Sequence, residues 1–107
     1  MYKKSIGNAG EAFALEYLKS KGYEILATDY RLKFGQVDII ARDEWGIHFV
    51  EVKTRSGTKF GRPSEAVDAA KLKHIRNVAS FYIRANKVDE PVLIDVIEIV
   101  VNHIEGV

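Results

Sequence analysis

Two apolar runs set almost back to back constrain this chain more than any other feature. Gln36–Arg42 and Ile47–Thr54 are separated only by Asp43-Glu44-Trp45-Gly46. So short a link has no room for a crossover, so the runs pair as an antiparallel hairpin. Side chains alternate along a strand, which puts Glu51 and Lys53 on one face. A turn centred between Glu44 and Trp45 sets Asp38 directly opposite Glu51. The turn is not an Asn-Gly type, and a slip of one residue sends the two carboxylates to opposite faces.

Two carboxylates facing each other across a ladder repel. Here they stand among Ile39, Ile40, Val50 and Val52, where burial makes their charge costlier still. A positive centre between them removes the conflict. A hard divalent cation such as Mg²⁺ or Mn²⁺ suits two carboxylates with water and a phosphate oxygen. Lys53, one side-chain spacing further along, is placed to stabilise developing negative charge. The chemistry implied is metal-assisted hydrolysis of a phosphodiester. The plain alternative is a solvated face with Lys53 as an ion-pair partner, and spacing alone favours it.

The rest of the chain fits one α/β domain spanning residues 1–107. Hydrophobic residues make up 47% of the sequence, against disorder. It has no cysteine, which excludes a disulfide scaffold, thiolate zinc and thiol nucleophiles. A net charge of +1 says little about partners, so any nucleic-acid case rests on where charges lie. No signal-like stretch follows Met1, and no apolar run approaches the roughly 20 residues of a membrane span. The expectation is a soluble cytoplasmic protein with no membrane partner.

Periodicity predicts a helix over Ile6–Lys21, with Ile6, Phe13, Ala14, Tyr17 and Leu18 on its apolar arc and Gly22 as its cap. Tyr23–Leu32 reads as a modest strand with Tyr23, Ile25 and Ala27 alternating. Pro63 or Ser64 opens a long helix to about Ala85. Val92–Val101 is nearly all apolar, and its β-branched density suggests a central strand covered on both sides. The order is αβββαβ, with a mixed sheet flanked by helices. The helical link to the last strand allows a parallel pair.

With these residues in place, the chain resembles the PD-(D/E)XK nuclease core in Gly35-Gln36-Val37-Asp38 followed by Glu51-Val52-Lys53. More closely, it resembles the YraN-like uncharacterised bacterial family of that superfamily. The likeness runs through Gly10-Glu11-Ala12, Tyr30-Arg31, the acidic hairpin, Phe49–Arg55, Phe60-Gly61, Pro63–Val67 and Ile94-Asp95-Val96, nearly the whole chain. The resemblance implies a restriction-endonuclease-like αβββαβ core and a metal-dependent nuclease site. By position, Asp38 and Glu51 would be metal ligands, Lys53 the catalytic lysine, and Glu11 the helical glutamate that completes the site. The family often carries glutamate where this chain has Gln36, a departure that weakens metal affinity if that carboxylate contributes.

Other residues are read both ways. Glu11 lies beside the apolar arc of its helix and is either a site acid or a surface acid near an N-terminus. Lys71, on the apolar arc of the second helix between Val78 and Tyr82, either contacts a phosphate or snorkels. Glu65, in that helix's expected first turn, is favourable there without any function. Arg55, Lys59 and Arg62, with Phe60 among them, form a basic loop after the acidic hairpin that reads as a nucleic-acid lip. Lys73, Arg76 and Arg84 fit a solvated helix face. His48, His74 and His103 lack metal-ligand spacing and read as structural. Asp95 is either a buried, hydrogen-bonded acid or a supporting group.

The leading expectation is a Mg²⁺- or Mn²⁺-dependent endonuclease acting on DNA rather than RNA, on branched or damaged substrates. The alternatives are a nucleic-acid-binding module with a dormant site and an assembly subunit. A homodimer would suit two-strand cutting.

Overall fold

The structure, a computed structural model, describes residues 2–56 and 68–107. Lys59, Phe60, Arg62, Pro63, Ser64 and Glu65 lie outside the described residues. The elements are α1 (Tyr2–Ser20), β1 (Glu24–Leu32), β2 (Gly35–Arg42), β3 (Ile47–Ser56), α2 (Ala69–Ala85) and β4 (Val92–Val101). This is the expected αβββαβ order. The strands form one mixed four-stranded sheet in the order β1-β2-β3-β4, antiparallel except for the parallel β3–β4 pair. No described helix is long and apolar enough to cross a membrane.

The hairpin takes the register expected of it. Ile39 pairs with Val50, Ala41 with His48 and Arg42 with Ile47. The turn is built by Asp43, whose Oδ1 accepts the backbone N–H groups of Trp45 (2.9 Å) and Gly46 (3.2 Å). This side chain supplies locally what an Asn-Gly turn supplies through its backbone. Gly46 adopts a φ of +149°, and a Cβ there would collide with the Pro91 carbonyl oxygen. That carbonyl accepts the Ile47 N–H at 2.9 Å, so the missing side chain lets β4 begin against β3.

Each face of the sheet packs on one helix. Val37, Ile40, Ile47 and Phe49 form a core with Ile75, Val78 and Ala79 of α2. Ile39, Ala41 and Val50 form the opposite core with Ala14 and Leu18 of α1. The end of the hairpin is fastened by His48, which is 5% exposed. Its ring nitrogens lie 2.6 Å from Asp95 Oδ2 and 2.8 Å from Asp43 Oδ1, joining the turn to β4. His48 is thus structural, and Asp95 is the hydrogen-bonded acid of the two readings.

Four expectations are corrected. β4 is the outer strand of the described sheet, with Val92, Leu93, Val96, Val100 and Val101 exposed. Its apolar run reflects strand pairing and partial contacts on both faces, since Ile94 joins one core and Ile97 the other. In α1, Ala14 and Leu18 of the predicted arc are buried, whereas Phe13 and Tyr17 are 61% and 43% exposed. The helix meets the sheet through a narrower stripe than an amphipathic arc requires. The alternation of β1 fails because the register shifts between Ile25 and Ala27, which therefore pack into different cores. Finally, α2 starts at Ala69 rather than at Pro63 or Ser64. Asp68 is extended (φ −87°, ψ 178°) and its side chain caps the Lys71 N–H, an N-cap that outranks proline as a start signal here.

Two outcomes follow. Gly46→Ala should destabilise the protein by about 2 kcal/mol or more, because it combines a disfavoured backbone with a backbone collision; urea denaturation measures this. Burial raises the Asp43 carboxyl's pKa, but the His48 ring and the Trp45 and Gly46 N–H groups outweigh it and hold it below the usual 3.8. The ionised form therefore stabilises the fold above that pH, and the contribution disappears as pH falls through the lowered value. Asp43→Asn should melt lower than the native chain at neutral pH, with the gap closing in acid below the usual aspartate range.

Candidate active site

The site lies where β2 and β3 part. Their ladder is regular as far as Ile39 and Val50. Beyond it the Val52 N–H donates to Asp38 Oδ2 at 2.8 Å instead of to a strand carbonyl. The break has a visible origin on β1. Thr28 pairs with Ile39 and Tyr30 with Val37, but Asp29 and Asp38 between them form no pair. Asp29 sits at a φ of 50°, the left-handed region that Asp tolerates better than most residues. Val37 and Ile40 consequently enter the same core although an odd number of positions separates them. Asp38 falls in this interruption, and its carboxylate bonds to the neighbouring strand's backbone within the sheet.

That setting lets acids approach Asp38 from different elements. Glu51, on β3, is 2% exposed, and Asp38 is 9% exposed. Glu51 follows Phe49 on the α2 side of the sheet. Glu11 comes from α1, and its carboxyl lies within hydrogen-bonding reach of Asp38. Gly10 makes this approach feasible, because a Cβ there would collide with Thr54 Oγ1 on β3. The motif pair Gly10-Glu11 thus divides its work: one residue lets the helix close on the strand, and the next reaches the acid.

The electrostatics are those of crowded like charges. Burial raises the pKa of Glu51, and Asp38 raises it further, against the opposing pull of Lys71. Burial also raises the pKa of Glu11, helped by Asp38 and Asp29. Lys71, from the first turn of α2, places its Nζ 2.7 Å from Glu51 Oε2, and Lys53 Nζ lies 3.8 Å from the same oxygen. The other oxygen, Glu51 Oε1, is buried with no hydrogen-bond partner among the described residues. Glu51 therefore has a lysine of its own, whereas Asp38 is held by a backbone N–H.

The structure brings together Glu11, Asp38, Glu51, Lys53 and Lys71. Arg55 points to the edge of this group, its Nε 3.0 Å from Glu98 Oε1 on β4. Lys59 and Arg62 are outside the described residues. Gln36 donates from Nε2 to Asp29 Oδ1 at 3.4 Å, and Arg31 Nε lies 3.1 Å from the same oxygen. An amide at position 36 answers Asp29, where a glutamate would repel it. Sequence reading missed Asp29. The available signal was an acid with poor strand preference in the middle of β1, opposite Asp38. Among the described residues, no set of three or more His, Asp or Glu forms a ready-made metal cage. Two hard carboxylates and an unpartnered buried oxygen nevertheless suit a cation that keeps most of its water, as Mg²⁺ does.

Residues 10–99 match the model of the family described as "Uncharacterised protein family UPF0102". A UPF0102 protein of Clostridioides difficile is 49% identical over 110 residues, covering 97% of this chain and 96% of its own. One from Caldicellulosiruptor saccharolyticus is 46% identical over 103 residues, covering 95% of this chain and 87% of its own. A third, from Thermodesulfovibrio yellowstonii, is 41% identical over 109 residues, covering 99% and 97%. These matches run through the α1 glutamate, the forked hairpin and β4, and the chain belongs to the uncharacterised protein family UPF0102.

Proposed function

We propose that this protein is a Mg²⁺- or Mn²⁺-dependent endonuclease that hydrolyses phosphodiester bonds of DNA. The observation that carries the reading is Glu51 Oε1, a buried carboxylate oxygen without a partner among the described residues, beside a second buried carboxylate. An ionised group left in that state costs stability, and a binding role accounts for its retention.

Asp38 and Glu51 would hold the ion. When bound, such an ion neutralises phosphodiester charge and acidifies water. The Val52 N–H fixes Asp38 Oδ2 and so sets the direction of the remaining oxygen. Lys53, 39% exposed at its side chain, has an ammonium free to leave Glu51 and meet a phosphate. Glu11, its pKa raised by burial and neighbouring acids, is suited to hold or pass a proton near Asp38. Arg55, together with Lys59 and Arg62 of the following segment, would grip the backbone.

A second reading, a nucleic-acid-binding module with a dormant site, is favoured by the engagement of Glu51 with Lys71 and of Gln36 with Asp29. Cleavage separates the two. Purified protein with Mn²⁺ should nick or cut at least one of a junction, flap, single-stranded or double-stranded DNA. Asp38→Ala and Lys53→Ala should each reduce the rate about 100-fold or more. Salt-sensitive DNA binding that persists in Glu51→Ala, without cleavage of any substrate, would instead establish the binding module.

The raised pKa of Glu51 also has a thermodynamic consequence. The folded chain binds that proton more tightly than the unfolded chain, so the associated stability is present below the usual 4.5 and is lost as pH rises through the raised value. In metal-free buffer, Glu51→Gln should therefore melt a few degrees above the native chain at neutral pH, and the advantage should vanish in acid. Calorimetry across pH measures both.

A further inference from the structure

We infer that Lys71 is a built-in substitute for the metal ion: its ammonium neutralises Glu51 in the metal-free protein and leaves when a divalent cation binds. The inference rests on the metal-binding reading above and assigns this lysine an exchange role instead of a fixed one.

Three observations carry it. Lys71 Nζ is 2.7 Å from Glu51 Oε2, whereas Lys53 Nζ is 3.8 Å away, so Lys71 is the closer counter-charge. One ammonium is one positive charge, and the acids beside it number at least two. The shortfall is visible in Glu51 Oε1, which stays buried and, among the described residues, unpartnered. A divalent cation would meet the whole demand, and it would repel an ammonium held in the same half-buried space.

The third observation concerns where Lys71 is anchored. Its backbone N–H donates to the Asp68 cap at 2.8 Å, so it stands in the first turn of α2. A cation there faces the positive end of the helix dipole, a mildly unfavourable place. The contact with Glu51 offsets that cost, so loss of the contact releases the side chain. It is already 33% exposed and has a long flexible stem, so solvent is within reach.

The test uses Mn²⁺ alone, without DNA. Free Mn²⁺ is followed by electron paramagnetic resonance during titration of the native chain, Lys71→Met and Asp38→Ala. Lys71→Met should bind Mn²⁺ about tenfold more tightly, because the competing charge is gone, and Asp38→Ala should lose binding. Unchanged or weaker binding by Lys71→Met overturns the inference and leaves the metal site intact. Absence of binding in both the native chain and Lys71→Met defeats the metal reading itself. A second measurement needs no variant. Acylation of the Lys71 amine, read by mass spectrometry against the exposed Lys73, should rise several-fold when Mn²⁺ is added to the native chain. An unchanged ratio in Mn²⁺-saturated protein overturns the exchange.

Discussion

The burial of two acids at the point where β2 and β3 separate is the constraint around which this protein is organised. Were the ladder regular past Ile39 and Val50, the Val52 N–H would be spent on a strand carbonyl. Asp38 would then project from one face. Instead Asp29, in a left-handed conformation on β1, interrupts the pairing beside Asp38. Asp38 is drawn into the sheet to satisfy Val52. An irregularity in one strand thus sets the direction of a carboxylate on the next, and that direction sets it beside Glu11 of α1 and Glu51 of β3.

The remaining architecture supports this fork from a distance. The His48 clamp between Asp43 and Asp95 secures the opposite end of the hairpin. Arg42 ties the same end to the loop before β4, with two bonds of 3.0 Å to Glu90, and to Glu24 at 3.1 Å. Polar fastening at one end and apolar cores on both faces leave the other end able to carry crowded charge. A folded domain has only a small margin of stability, so unfavourable groups of this kind persist where the rest of the structure over-determines their position.

The parts of this arrangement that depend on local chemistry were legible in the sequence. The short link and the alternation of its flanking runs specified the hairpin register observed as far as Ile39 and Val50, where the ladder stops one position short of the expected Asp38–Glu51 pair. Gly10-Glu11 pointed to the helical acid. What escaped depended on tertiary context. The valines of β4 read as a central strand because β-branched residues are equally at home on an outer one. Phe13 and Tyr17 share a wheel position with core residues, yet they stay exposed while Ala14 and Leu18 are buried against the sheet. Proline at position 63 looked like a helix start, whereas the side chain of Asp68 makes the actual cap. Asp29 went unread because its role arises from a pairing that fails, and a sequence pattern shows pairings that succeed.

The two lysines show how far identical charge can differ in meaning. Lys53 and Glu51 are neighbours on one strand, and their contact is a loose one, 3.8 Å long with the lysine side chain 39% exposed. Lys71 belongs to α2 and meets Glu51 only because that helix packs on the sheet through Ile75, Val78 and Ala79. Its ammonium, 2.7 Å from Glu51 Oε2, is therefore the closer of the two counter-charges, and it is brought there by helix packing and not by the strand. A close counter-charge on a flexible stem allows a buried acid to be neutralised during folding and still be available afterwards. With both lysines on β3, the packing of α2 would no longer bear on the charge at Glu51.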